Sequence, residues 1–405
     1  MSAPAFLTKP QEISALDSSL EREWKFLRAA VSRPAGKNLR EWCEGVRWSV
    51  LFDLAEHHGV QPLLYQALSR TQDLVPEADM SHLARLYHTN LHRALLLARA
   101  LIHVQHHLKQ NNIESLPYKG VALAESFYSD IALRQAGDID LLIRVQDFFR
   151  VRDALRDLGY APQSSFSPPQ QRSSLKSGYE CIFDGPAGRN LLEVKWRILP
   201  RFYAIDFDYD SLFRRAVPVH VAGHAMKTPS PEDLFLILCV HAAKHVWGRL
   251  IWLCDVAGIM QRPELNWTWI AAQSKDLGIA RMVRVTLLLV NRLLEIDIPP
   301  AAESNLSPDD QAGPLAREIE PHIPSMTDYE VESFAYFRLI GRLRERWRDR
   351  GRFSARILLT PGPGEWATLR LPQPLFPLYR LVRLARVASR IAHRKRAVSA
   401  AAGHD

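Results

Sequence analysis

The chain has 405 residues, 47% of them hydrophobic and 24% charged, with a formal net charge of +8. That balance excludes a disordered or collagen-like chain, and the length predicts two or three domains. No apolar run reaches the roughly 20 residues of a membrane-spanning helix, and MSAPAFLTKPQEISALDSSLEREW carries acids where a secretory apolar region belongs, so a cytoplasmic protein is expected.

In chain order, the first hundred residues read as helical. NLREWCEGVRWSVLFDLAEHHGVQPLLYQALSR has apolar residues at helical spacing, with Gly59 as a stop and Pro62 opening the next helix. HRALLLARALIHVQHHLKQ is another helix, closed by Asn111-Asn112. IESLPYKG reads as a short strand entering a Lys-Gly turn, and VALAESFY as the helix that leaves it. DIDLLI is the second strand, and VQDFFRVRDALRDLGY a helix terminated by Gly159. A polar loop, APQSSFSPPQQRSSLKSG, precedes YECIFDGPAGRNLLEVKWRI, which reads as a hairpin. SPEDLFLILCVHAAKHVW opens with Ser230 as N-cap and Asp233 at the third position, the signature of a capped helix. Helical patterns continue through RLIWLCDVAGIM and ARMVRVTLLLVNRLLEI. The stretch from Pro299 through AAESNLSPDDQAGP reads as a linker, and a basic helical segment follows.

These elements predict an α+β fold, a small mixed-sheet core flanked by N-terminal and C-terminal helical regions. The boundaries drawn are 1–92 for the N-terminal helices, 93–225 for the α/β core, 226–300 for a helical domain and 301–405 for the basic C-terminal region. The four cysteines, Cys43, Cys181, Cys239 and Cys254, are scattered without C-x-x-C spacing and read as buried thiols, not as a zinc site or disulfide frame. Positive charge concentrates late in the chain. Residues 342–356 hold seven arginines against two acids, and residues 370–396 hold seven arginines, one lysine and no acid.

RQAGDIDLLIRV carries the chemistry. Alternate residues of a strand share a face, so Asp138 and Asp140 point one way while Ile139, Leu141 and Ile143 point the other. Two like charges on one face must be solvated, paired or bound to a cation. In LLEVKW, Glu193 alternates with Val194 and can face the aspartates from an adjacent strand. Three hard oxygen ligands suit Mg²⁺ or Mn²⁺. Gly120 lets the backbone approach a phosphate at the start of a helix, and Lys119 and Arg134 can supply countercharge.

Taken together, YKGVALAESFYSDIALRQAGDIDLLI, LLEVKWRI and HAAKHVWGRLIWLCDVAGIM resemble the uncharacterised nucleotidyltransferases of the polymerase-beta superfamily. The resemblance covers roughly residues 50–260. It implies that Lys119-Gly120 is the triphosphate turn, that Asp138, Asp140 and Glu193 are the catalytic metal ligands, and that Glu193 helps deprotonate an acceptor hydroxyl. The reaction implied moves a nucleoside monophosphate from an NTP, such as ATP, to an unidentified acceptor. Members are often encoded near polysaccharide and peptide-modification genes. Two positions depart from the pattern: Val121 stands where the wider superfamily has serine, and Lys195, counted with Lys119, Gly120, Arg134, His241 and His245 among the nucleotide- or substrate-binding residues, stands where a histidine often precedes the tryptophan.

Each feature has a plainer reading. Asp-x-Asp occurs on surface strands that hold no metal, Lys119 serves equally as a solvated turn residue, and Arg134 can pair with Asp130 or Asp138. His241 and His245, four apart on one helix face, could chelate zinc with Asp255 as a third ligand, but lack the glutamate of His-Glu-x-x-His. They are read instead as lining the substrate cleft or bonding within the core. Arg380, Arg383, Arg386, Arg390 and Arg394 form a basic helix side, either a solvated face or a contact for an acidic partner or anionic membrane surface; nucleic acid is the minority reading. A catalytically silent relative, acting as a binding or assembly component, is the competing function.

Overall fold

A computed structural model describes residues 20–32, 39–128, 130–163, 175–186, 191–326, 333–360, 375 and 378–385. The fold is α+β. Its sheet has five strands, β1 (Ser115–Pro117), β2 (Ile139–Ile143), β3 (Ala161–Pro162), β4 (Glu180–Asp184) and β5 (Leu192–Lys195), in the order β1-β2-β5-β4-β3. β2 and β5 run parallel, and the other neighbours are antiparallel. A separate hairpin, β6 (Val217–Val221) and β7 (His224–Thr228), turns at Ala222-Gly223, where both residues have positive φ.

All five residues of β2 are buried, because both faces of the sheet are covered. Ile139, Leu141 and Ile143 join an apolar cluster with the helices Glu77–Gln110 and Phe148–Asp157. The first of these helices starts after Pro76, carries Glu77 and Asp79 in its first turn, and buries Leu97, Leu101, Val104 and Leu108 along one stripe. It ends where Asn112 takes φ 53°, the left-handed cap expected of the Asn-Asn pair. It begins fifteen residues before the His92 expected from the sequence; the stretch 77–91 has few buried residues, so its apolar period is faint.

The opposite face, bearing Asp140 and Leu142, looks toward a larger helical body. One continuous apolar cluster there joins the N-terminal helices, through Phe26, Leu51 and Leu64, to Phe235, Leu250, Val283, Tyr336 and Phe353. Helix Pro231–Lys244 is capped by Ser230, whose hydroxyl accepts from the Asp233 backbone N–H as its sequence predicts. The linker expected after Pro299 is mostly helical: Pro300 opens a helix to Asn305, and Ala312–Ile319 is a second. Proline at a first helical turn loses no hydrogen bond, so it starts this helix instead of preventing one.

Among the described residues, several arginines of the basic C-terminal region are paired within the fold. Arg352 and Arg356 both pair with Asp206, Arg342 pairs with Glu318, and Arg346 with Asp349. Arg380 and Arg383 lie on a short described helix, whereas Arg386, Arg390 and Arg394 lie outside the described residues. No described helix is long and apolar enough to cross a membrane. The four cysteines form no disulfide; Cys239 and Cys254 are buried as expected, whereas Cys43 and Cys181 are only half-buried.

His58 fastens the N-terminal helices to this body. Its Nδ1 accepts from the Leu250 backbone N–H at 3.3 Å, its ring lies 5.1 Å from that of Trp24, and its Nε2 is buried with no hydrogen-bond partner among the described residues. Burial lowers its pKa to about 3, so the folded ring stays neutral. The unfolded chain protonates it below the ordinary value near 6.5, and stability therefore falls as pH falls from 6.5 toward 3. This one residue should remove about 1.4 kcal/mol of stability per pH unit in that window. Urea unfolding at pH 7.5 and 5.0 checks it: His58→Gln should show the shallower pH dependence, and equal slopes would refute the assignment.

Candidate active site

The polar face of the sheet forms the floor of a cavity of about 550 Å³. Register builds that floor. Asp140 lies opposite Glu193 across the parallel β2–β5 pair, and Glu180 lies opposite Lys195 across the antiparallel β4–β5 pair. Directly paired residues share a face, so Asp140, Glu193, Lys195 and Glu180 all project to one side, with Asp138 at the mouth of β2. The sequence-predicted residues Lys119, Gly120, Arg134, Asp138, Asp140, Glu193, Lys195, His241 and His245 all line this cavity.

Charge at the floor is tightly matched. Asp140, 2% exposed, accepts from Lys195 Nζ at 2.9 Å and from Lys119 Nζ at 3.1 Å, both on Oδ1. Lys195 also reaches Glu193 Oε2 at 2.6 Å and Glu180 Oε2 at 3.4 Å. Burial opposes ionisation of Asp140, but the two ammonium groups outweigh it and hold its pKa below the ordinary range. Burial likewise opposes the charge on Lys195, and Asp140, with Tyr118, Glu193 and Glu180, more than restores it. Asp138 differs. Burial, with the adjacent Asp140 charge, pushes its pKa up to about 6.

Gly120 follows β1 through Tyr118-Lys119 and starts helix Gly120–Phe127 with φ 57°. A Cβ there would stand 3.1 Å from the Asp138 carbonyl oxygen. The glycine therefore lets the turn lie against the start of β2, which brings Lys119 over Asp140.

The far wall comes from helix Pro231–Lys244 and helix Leu250–Met260. The His241 and His245 rings are 4.9 Å apart and pack against Trp252 at 5.4 and 5.0 Å. Burial drives both imidazoles to the neutral form, His241 well below its usual pKa and His245 to about 3. Lys244, beside them, lies 5.2 Å over the Tyr179 ring, and burial lowers its pKa to about 8. Val246 and Trp247 follow with φ 51° and 50°, a costly conformation for a β-branched residue. Trp247 compensates by complete burial and an Nε1–H bond to Thr286 Oγ1 at 2.9 Å.

Arg134 has neither expected partner. Its guanidinium forks onto Asp255, with Nε–Oδ1 and Nη2–Oδ2 both 2.9 Å, and the Tyr128 hydroxyl donates to the same carboxylate at 2.8 Å. Asp255 is thus committed and cannot complete a zinc site with His241 and His245. Among the described residues no three His, Cys, Asp or Glu side chains form a group that could hold a metal ion. The donor chemistry still suits a hard cation at one place. Asp138 and Asp140 bring oxygen ligands to one cavity, and Asp138, though it feels the charges of Lys119 and Lys195, makes no direct ion pair among the described residues.

Sequence reasoning missed Glu180, Lys244, Tyr179 and the role of Asp255. Asp255 carried a signal, since it is the single charge in the apolar helix LIWLCDVAGIM and had to meet a buried partner. Glu180 depended on strand register, which the hairpin sequence alone leaves open.

A family model described as Uncharacterised nucleotidyltransferase matches residues 44–295. No curated protein and no solved structure matches the chain.

Proposed function

The chain belongs to the uncharacterised nucleotidyltransferase family, and from that premise we propose that it transfers a nucleoside monophosphate from an NTP to a hydroxyl acceptor, with a divalent cation. The observation that carries this reading is the register of Asp140 with Glu193 on parallel neighbours, with Asp138 beside them and a lysine-bearing turn above. Mg²⁺ or Mn²⁺, held chiefly by Asp138 at the edge of the acidic floor that Asp140 and Glu193 form, would act as a Lewis acid on the phosphate oxygens.

The chain's own groups do the rest. Gly120 and the start of its helix bring backbone N–H groups toward the triphosphate, and Lys119 adds positive charge beside it. The acceptor oxygen bonds to the α-phosphorus, the bond to the bridging oxygen breaks, and pyrophosphate leaves with that electron pair. The acceptor's proton passes to a floor carboxylate, which we assign to Glu193. The neutral imidazoles of His241 and His245 offer hydrogen bonds without adding charge, and Trp252 closes the wall behind them.

A second reading, a silent relative that acts as a binding component, draws on one observation: two ammonium groups already occupy Asp140 Oδ1. Incubating the protein with Mg²⁺, each labelled NTP and cell extract separates the two. Transfer predicts label on an acceptor with release of pyrophosphate. Neither product, together with no Mg²⁺-dependent NTP binding by calorimetry, would establish the silent relative.

A further inference from the structure

We propose that Lys195 is a built-in cation, its ammonium standing where a divalent ion would otherwise bind among Asp140, Glu193 and Glu180, so that the site takes one exchangeable cation at Asp138. The proposal deepens the nucleotidyltransferase reading, on which the identity of the reaction rests.

Three carboxylates from three strands converge on one nitrogen: Glu193 at 2.6 Å, Asp140 at 2.9 Å and Glu180 at 3.4 Å. The sheet enforces this arrangement. Lys195 lies two residues beyond Glu193 on the same face and directly opposite Glu180, while Glu193 is directly opposite Asp140. An ammonium has three N–H donors and no acceptor; one is given in a hydrogen bond to Asp140, and Glu193 and Glu180 add ion-pair attraction around it. The lysine side chain is 8% exposed, so little of it meets solvent.

Oxygen atoms converging on a buried positive centre are also what a hard divalent ion requires. The two cannot share the position, because like charges at that separation in a buried site repel strongly. Lys119 closes a further approach by occupying the same Asp140 oxygen at 3.1 Å. Asp138 alone on this floor makes no ion pair among the described residues, and it faces the open cavity. Lys195 thus serves the reaction as a positioning residue that fixes Asp140 and Glu193 and leaves the exchangeable cation to Asp138.

Mn²⁺ binding to the full chain, counted by electron paramagnetic resonance of the free ion and by calorimetry, tests this. The wild type should take up one Mn²⁺ per chain. Lys195→Met should gain one more and, unfolding at a lower temperature without metal, should regain most of that loss when Mn²⁺ is added. Lys244→Met removes a charge from the same cavity without opening the carboxylate cluster, and should keep the wild-type count. If Lys195→Met does not fold, Lys195→Met/Glu180→Gln, with less repulsion, should show the same gain.

Two ions on the wild type overturn the proposal, as does an unchanged count in the folded Lys195 variant or an equal gain in Lys244→Met. Failure of the underlying reading looks different. Mg²⁺-dependent transfer with no gained ion defeats the built-in cation alone, whereas a gained ion with no transfer by the wild type defeats the transferase reading alone.

Discussion

Asp138→Asn should reduce nucleotidyl transfer on the order of 10³-fold while leaving the protein at least as stable as the wild type. The two halves of this expectation have one cause. Burial and the neighbouring Asp140 charge raise the Asp138 pKa from 3.8 to about 6. A carboxyl with a folded pKa above its unfolded value opposes folding once ionised. The penalty is absent below about 3.8, grows between the two values and is complete above about 6. At pH 7.5 the native protein carries that penalty in full, and asparagine, isosteric and uncharged, does not. The charge that destabilises the apo fold is the one available to hold a cation. The melting temperature at pH 7.5 should be unchanged or higher in the variant, and pyrophosphate release should be lost. Undiminished release would remove Asp138 from the mechanism.

Asp140→Asn makes a poorer test of chemistry. Asp140 is 2% exposed and anchors both Lys119 and Lys195. Neutralising it leaves two ammonium groups without their shared partner, and breaking a buried pair from one side costs on the order of 3–5 kcal/mol. Lost activity there would mix chemistry with misfolding.

Alternation within DIDLLI sets Asp140 opposite Ile139 and Leu141, while Asp138 stands in the bend one residue before β2 and lines the same cavity from there; the capped helix at Ser230 and the Asn-Asn helix end follow from equally local chemistry. Local rules do not fix register across strands, so Glu193 could be expected to face the aspartates but not assigned to Asp140, and Glu180 was invisible. The expected partners of Arg134 were its sequence neighbours. The actual partner lies 121 residues away on a helix whose apolar pattern hid one acid. Lys195 looked like a departure from a family pattern, and only the sheet reveals that three carboxylates meet on it.

Asp255→Asn should cost on the order of 3–5 kcal/mol, and most of that loss should return in Arg134→Met/Asp255→Leu. Arg134 and Asp255 belong to opposite walls of the cavity, one leading into β2 and the other on helix Leu250–Met260, with side chains 8% and 0% exposed. Burial works against the guanidinium charge, but Asp255 outweighs it and raises the Arg134 pKa above its ordinary value. Neutralising the acid leaves a buried cation with no counter-ion, whereas replacing both by apolar groups removes the desolvation cost along with the attraction. The pair also decides whether Arg134 binds substrate. Both arms of its fork are already taken by Asp255, so its role is to hold the walls together, and the double variant should recover transfer along with stability. Chemical denaturation of the wild type, single and double variants measures the first effect. The NTP dependence of pyrophosphate release measures the second. A double variant that folds like the wild type yet shows a KM for NTP raised tenfold or more would return Arg134 to the substrate.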